Sequence, residues 1–388
     1  MTGTGLAGAP LAELVAAVRP GGPDADPAAV FAAGAWTAVV EPGESTAGAL
    51  IGALGAHDAL ESLLLDAPPS QRPELGDAYR RWRVRARPDL LLAAFRNAAV
   101  IGARLVVPGD PDWPGGLADL GPHAPLALWA LAPDGPLPPL ARSVAVVGTR
   151  DPTPYGVQAA QDIVCGLADR GFAVVSGGAA GIDRAGHRAA LASAATTAAV
   201  LAGGPDRLYP QANAELLHRI AREGVVLSEM ACGSSPMKQR FLSRNRLIAA
   251  ITRVTVVVEA GVPSGAINTA AHAGELGRPV AVVPGSVYSA ASAGCHRLLR
   301  DYDAVLVRGA ADVAELARDP DTAVALEGLD LPLDPLEQRV LQALGRRPAA
   351  VPDVAARAGL ERSEAAAVLA LLALAGAAAD SPRGWVRA

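Results

Sequence analysis

The sequence predicts an α/β protein built on an extended, Rossmann-like, doubly wound parallel sheet, with a helical segment before it and a winged helix after it. Three observations carry this. From Ser143 onward, six short β-rich runs alternate with amphipathic stretches of helical length. The runs are apolar on both faces, as strands of a sheet covered by helices on both sides must be. Residues 333–388 then read as three helices followed by a hairpin, the winged-helix pattern.

Taken in order, residues 1–75 are alanine-rich and helical, broken at Pro20-Gly21-Gly22-Pro23 and Pro42-Gly43. The stretch 76–103 holds Arg80, Arg81, Trp82, Arg83, Arg85 and Arg87. Such a cluster either grips a phosphate backbone and stacks a base, or is a solvated helix face whose Trp packs inward, the commoner arrangement. A Pro-rich connector, Pro133 to Pro139, leads to the sheet. The strand candidates are Val144–Val147, Phe172–Ser176, Thr197–Leu201, Val225–Leu227, Val254–Glu259 and Val280–Val283. An acidic linker, 319–332, ends in Leu331-Pro332. Three helices follow, Pro335–Arg346, Val351–Ala358 and Arg362–Ala375, the last two separated by Gly359. The tail Ala378–Val386 turns at Ser381-Pro382-Arg383-Gly384. The expected domains are 1–104, 105–318 and 333–388, with the linker between the last two.

Composition excludes several classes. The chain has 388 residues, 51% of them hydrophobic, enough for a large core. Its longest charge-free apolar run, Ala365 to Ala379, is too short to span a bilayer. No basic-then-apolar leader is visible, so a cytoplasmic protein is expected. Cys165, Cys232 and Cys295 show neither metal-ligand spacing nor a disulfide framework. Lys238 is the single lysine against 33 arginines. It sits in Met237-Lys238-Gln239, which removes both the phosphate-loop and the kinase readings. The Ala, Gly, Pro and Arg bias is that of a GC-rich genome, so arginine number alone says little about a basic surface. Net charge is −5 overall, but −6 over residues 1–141, +4 over 142–318, −4 over 319–332 and +1 over 333–388. A mildly basic middle leaves nucleic acid open, because binding depends on a local patch.

Gly-containing loops follow the strands at the carboxyl edge, where open α/β sheets bind ligands. In Gly148-Thr149-Arg150, glycine lets the backbone approach a phosphate and Arg150 can clamp it; otherwise the loop is a tight turn with a surface arginine. In Ser176-Gly177-Gly178-Ala179-Ala180-Gly181-Ile182-Asp183, a serine replaces the first glycine of a dinucleotide fingerprint, so a nicotinamide cofactor is poorly supported. Asp183 can cap the helix that starts there. Residues 237–253 hold five basic side chains and no acid. Arg240 and Arg244 lie four apart and repel on a helix. Either a polyanion neutralises Lys238, Arg240, Arg244 and Arg246, with Asn245 among them, or internal carboxylates do, Glu229 and Asp183 being the candidates. Ser264-Gly265, Thr269 and Gly285-Ser286 can add contacts at the same edge. There is no Gly-x-Ser-x-Gly elbow. The histidines are scattered, without HExxH or HxxxH pairs, so neither catalytic residues nor a metal site is expected.

With these residues together, the chain resembles the DNA-processing protein A family (DprA, also called Smf). The matches include Pro108-Gly109-Asp110-Pro111-Asp112-Trp113-Pro114, Val144 to Arg150, Tyr155-Gly156, Ser176-Gly177 with Gly181-Ile182-Asp183 and His187, and Tyr209-Pro210 with Asn213. They continue with Ser228-Glu229, Phe241 with Arg244-Asn245-Arg246, Val258-Glu259-Ala260, Ser264-Gly265, Thr269-Ala270, Pro284-Gly285, and Gly294-Cys295 with Leu298. Their order and spacing, rather than any one, carry the resemblance. It implies an extended Rossmann domain with an N-terminal helical, SAM-like domain and a C-terminal winged helix. It also implies a protein that is not an enzyme and needs no cofactor. Such proteins bind single-stranded DNA, protect it and help load the RecA recombinase during natural transformation, in competence and recombination. Self-association to a homodimer would fall around Gly294–Val305, and no membrane is involved. The implied DNA site is Gly148, Arg150, Gly177, Gly181, Lys238, Arg240, Arg244, Asn245, Arg246, Ser264 and Gly265, with Arg150, Arg244 and Arg246 at its centre. Two departures remove positive charge where many relatives carry it: Ala180 in the glycine loop and Gln211 after Tyr209-Pro210. The alternative is a nucleotide-binding enzyme of the phosphoribohydrolase (lysine-decarboxylase-like) group. Its Pro-Gly-Gly-x-Gly-Thr-x-x-Glu loop is replaced here by Val262-Pro263-Ser264-Gly265-Ala266-Ile267-Asn268-Thr269. In the winged helix, Arg362 stands against Glu361 and Glu364 before an apolar run, which suits packing or a protein partner better than a DNA groove.

Overall fold

The fold is described from a computed structural model, which describes residues 9–20, 22, 25–66, 75–318, 334–345, 348–374, 377–381 and 384–387. The acidic linker and the central turn residues Pro382 and Arg383 lie outside the described residues. Residues 1–318 form one compact unit and 319–388 a second.

The first unit opens with six helices: α1 (Ala9–Val18), α2 (Pro27–Val39), α3 (Ser45–Leu54), α4 (Ala56–Leu64), α5 (Gly76–Arg85) and α6 (Pro88–Val100). Proline at the first turn starts α2 and α6, where its missing N–H costs nothing. Their core is aromatic: Phe31 stacks on Phe95 at 4.6 Å, and Trp36 meets Trp82 edge-on at 5.6 Å. Trp82 is buried, and its indole N–H donates to Glu44. The arginines around it pair with acids: Arg81 with Glu44, Arg80 with Asp77, Arg85 with Glu41 and Arg83 with Asp66. The inward-Trp reading of the Arg80–Arg87 stretch is the correct one.

The sheet has nine strands in the order β1-β2-β6-β5-β4-β3-β7-β8-β9. Two strands not expected from the sequence, β1 (Arg104–Val106) and β2 (Leu128–Leu131), pair antiparallel, and β2 continues antiparallel onto the sheet. Trp129 on β2 ties the helices to the sheet. Its indole donates to Thr37 at 3.0 Å, and its ring meets Phe95 edge-on at 5.2 Å.

The parallel part runs β3 (Ser143–Val147), α7 (Pro154–Ala168), β4 (Ala173–Ser176), α8 (Ile182–Ala192), β5 (Thr197–Leu201), α9 (Ala214–Glu223) and β6 (Val225–Ser228). It continues with α10 (Lys238–Ile251), β7 (Val254–Val257), α11 (Gly265–Glu275), β8 (Val280–Val282), α12 (Ala293–Asp301), β9 (Ala304–Leu306) and α13 (Ala310–Leu316). All six expected strands are present, and β9 adds a seventh parallel one. The chain builds outward from β3 to β6 and then returns to place β7 beside β3. The order reverses at the β3–β7 pair, and a crevice opens there at the strands' carboxyl ends. Val144, Val146, Val254 and Val256 pack under one helical layer. Ala145, Val147 and Val257 pack under the other. This is why the strands read as unbroken apolar runs.

In the second unit, α14 (Pro335–Ala343) starts with a capping box between Asp334 and Glu337. It ends at Ala343, three residues before the expected Arg346. The remaining elements are α15 (Val351–Ala358), α16 (Arg362–Leu374), β10 (Ala378–Ser381) and β11 (Gly384–Arg387). The strands pair antiparallel, and Ala349 bridges to Trp385, completing the winged helix. Among the described residues, no helix is long and apolar enough to cross a membrane.

Candidate nucleic-acid interface

A cleft of about 310 Å³ opens at the reversal point, near the lower end of the ligand-pocket range of about 300–1,000 Å³. One wall is the loop after β3, with Gly148, Thr149 and Arg150. The opposite wall is the loop after β7 and the start of α11, with Gly261, Pro263, Ser264 and Gly265. The floor is Asp183, and α10 closes the side with Phe241, Arg244 and Asn245. Six of the eleven residues expected from the sequence line this one cleft: Gly148, Arg150, Arg244, Asn245, Ser264 and Gly265.

The glycines have packing duties as well. A Cβ at residue 177 would stand 2.1 Å from Arg244 Nη1, and one at residue 148 would stand 2.5 Å from Ile182 Cγ1. Gly181 has φ +84°, and a Cβ there would lie 2.2 Å from the Thr149 carbonyl oxygen. The glycine loop is thus shaped by the side chain and the strand loop that press on it. Asp183 does not cap α8, whose N-cap position is Gly181. Its Oδ2 instead accepts the Gly177 and Ala179 N–H groups at 3.1 and 3.3 Å, holding the loop. Burial pushes the Asp183 carboxyl up, while Arg244 and the loop N–H groups pull it back.

Arg244 is buried, and its Nη1 donates to the Val200 carbonyl at 2.6 Å. Among the described residues its Nε has no partner. Burial first, opposed by the pull of Asp183 and aided by the nearby Arg150, brings the guanidinium down to about 10, so it stays cationic at neutral pH. Arg150 is exposed and has no ion pair among the described residues. Its guanidinium lies 5.5 Å from the centre of the Phe241 ring, a cation–π arrangement. Ser264 caps α11 by accepting the Ala266 N–H, and Asn245 ties α10 to α11 by donating to Asn268 at 3.0 Å. Phe241 and Thr149 are among the lining residues that the sequence reading did not assign to the site. Phe241 was visible in the sequence only as part of the family pattern, because one phenylalanine on a helix carries no signal of its own.

Two of the expected contacts are corrected. Arg246 is not at the centre of the site. It is buried in an ion pair with Glu229 at 2.5 and 2.7 Å, and its Nε donates to the His123 carbonyl. Arg240 is also taken: its guanidinium grips both oxygens of Glu41 at 2.8 Å. Internal carboxylates neutralise these two arginines, and neither lines the cleft. Lys238 is exposed at the start of α10, one turn before Phe241 and outside the cleft lining, with no ion pair among the described residues. Gly177 and Gly181 sit behind the lining, against Arg244 and Thr149. Among the described residues, no group of three or more His, Cys, Asp and Glu side chains is placed to hold a metal ion.

The chain has close relatives. The family model for DNA recombination-mediator protein A matches residues 104–318, and the model for the DprA winged helix domain matches 325–384. The putative DNA processing protein DprA of Mycobacterium tuberculosis is 47% identical over 325 residues, covering 79% of this chain and 81% of that protein. The DNA processing protein DprA of Streptococcus pneumoniae is 41% identical over 170 residues, 44% of this chain and 60% of that protein. The solved structure of DNA processing protein A from Streptococcus pneumoniae superposes with a TM-score of 0.58 at 28% identity, covering 72% of this chain and 94% of that one. The fold, the cleft at the strand-order reversal and these matches lead to one conclusion: the chain belongs to the DNA recombination-mediator protein A (DprA/Smf) family.

Proposed function

We propose that this protein binds single-stranded DNA in the cleft at the β3–β7 reversal and acts as a recombination mediator, protecting the strand and helping to load a RecA-type recombinase. The observation that carries this is the pairing of Arg150 with Phe241 at the cleft mouth. An exposed guanidinium without an ion pair among the described residues lies against an aromatic face, with the buried Arg244 cation beneath. Guanidinium suits phosphate bidentately, and an aromatic face stacks any base. Lys238, one turn away, supplies a further cation toward the same strand. This division assigns DNA binding to residues 105–318, with 1–104 and 333–388 as its helical and winged-helix partners. The protein works in the cytoplasm, without catalysis. Self-association through the β9 edge is part of the reading, since Tyr302, Val305 and Leu306 are exposed apolar side chains beside an unpaired strand edge.

The test is Arg150→Ala. Affinity for an oligothymidylate should fall, and the slope of log K against log salt should flatten by about 0.7 for each phosphate that the protein no longer neutralises. Unchanged affinity and slope in a folded variant would place the DNA elsewhere. Hydrolysis of a nucleoside monophosphate, abolished by a cleft substitution, would favour the nucleotide-hydrolase alternative.

A further inference from the structure

The cleft is small, and a bound strand must continue past its walls. Tyr209, in the loop after β5, reaches the same carboxyl edge from two strands away. Its side chain is 49% exposed, and among the described residues its hydroxyl has no hydrogen-bond partner. The ring centre lies 5.7 Å from that of Phe241, the planes tilted by 56°. Phe241 is therefore in contact with both Arg150 and Tyr209, and through it the cleft is joined to the loop after β5.

At the opposite end of the edge, the loop after β8 carries Tyr288, 97% exposed. Neither a ring contact nor a cation accompanies it among the described residues. The two ends thus differ. One offers aromatic faces next to the cleft with the free ammonium of Lys238 one turn from Phe241. The other offers Tyr288 and Tyr155, the latter 51% exposed with its hydroxyl donating to the Pro284 carbonyl of the same loop, and neither ring meets another ring or a cation among the described residues.

We propose that Tyr209 is a second stacking subsite, taking the base that follows the nucleotide held in the cleft, so that the strand exits toward β5 rather than β8. This rests on the cleft being a single-strand site. The physical cause is that stacking needs only an exposed π-face in line with the first one, and each stacked base contributes independently of its identity.

The experiment compares two ligands on the full chain: an oligothymidylate of about 12 nucleotides, within the single-strand site-size range of about 4–16, and thymidine 5′-monophosphate, which has no following base to place on Tyr209. Tyr209→Ala should weaken the long ligand by about five- to 150-fold, the range expected when one base no longer stacks. It should leave the monophosphate within about twofold. Tyr209→Phe should bind both like the parent, since the ring and not the hydroxyl acts. Tyr288→Ala should change neither. An unchanged long-ligand affinity in Tyr209→Ala overturns the subsite. So does an equal loss on both ligands, which would mean that Tyr209 only props Phe241. If Tyr209→Ala unfolds, Tyr209→Trp keeps the test open. Its added indole emission should be quenched by the long ligand and not by the monophosphate, and absence of that quenching overturns the proposal. Failure of the parent protein to bind either ligand would instead remove the cleft reading itself.

Discussion

Replacing Arg246 by Ala separates a structural arginine from a DNA-binding one. Its side chain is only 7% exposed, that of its partner Glu229 only 10%, and the pair is bidentate at 2.5 and 2.7 Å. Two further donors go to the carbonyls of His123 and Ser243. Truncation leaves an uncompensated carboxylate in a site built for its counter-ion, which costs about 3–5 kcal/mol. An unfolding entropy of about 2.1 cal/mol/K per residue, over the 318 residues of the first unit, converts this to a fall in Tm of about 4–8 °C. Scanning calorimetry at neutral pH reads that shift directly. Glu229→Gln should give a fall of similar size, and Arg246→Met with Glu229→Leu should recover most of it, because removing both charges removes the desolvation penalty as well. Arg150→Ala, at an exposed position, should leave Tm unchanged. If Arg246→Ala keeps its Tm and instead loses affinity for single-stranded DNA, the assignment of Arg246 to the interior is refuted.

Three further outcomes follow from the same contacts. Gly177→Ala puts a Cβ 2.1 Å from Arg244 Nη1, so it should displace the guanidinium, lower Tm and weaken oligothymidylate binding together, whereas Gly265→Ala, with open space around its Cα, should leave Tm within about 1 °C, as surface changes do. Trp82→Ala should cost about 3–5 kcal/mol in denaturant unfolding as a buried aromatic truncation, with no change in DNA affinity of the folded fraction; an affinity loss without destabilisation would return the Arg80–Arg87 stretch to the DNA site. Arg240, then its own burial in the opposite sense, then Arg85 hold the Glu41 carboxyl below its usual value of 4.5, so the stability it supplies is complete above pH 4.5 and is lost as pH falls through the lowered value. Glu41→Gln should therefore be less stable than the parent at pH 6, with the gap closing as the pH drops below 4.5; a gap that persists at the lowest pH would show that charge is not its source.

The sequence alone determined the central sheet, because a strand buried on both faces is an apolar run whichever neighbour it takes. β3 to β8 were legible for that reason, as were the helices between them and the capped helices of the second unit. β1, β2 and β9 were not: β1 and β9 are three-residue strands at the two edges of the sheet, and β2 joins β6 by antiparallel pairing, outside the alternation of strand and helix. The place of the cleft was legible too, from the glycine loops after β3 and β4. The fate of each basic residue on α10 was not. Lys238, Arg240, Arg244 and Arg246 lie within nine consecutive residues of one helix, yet one is solvated, one grips Glu41, one underlies the cleft and one is locked to Glu229. Periodicity is a local property and can be read along the chain. A charge's partner is set by contacts such as Arg240 with Glu41, 199 positions apart, and only the tertiary placement of carboxylates such as Glu41 and Glu229 beside α10 decides which arginines remain for a ligand.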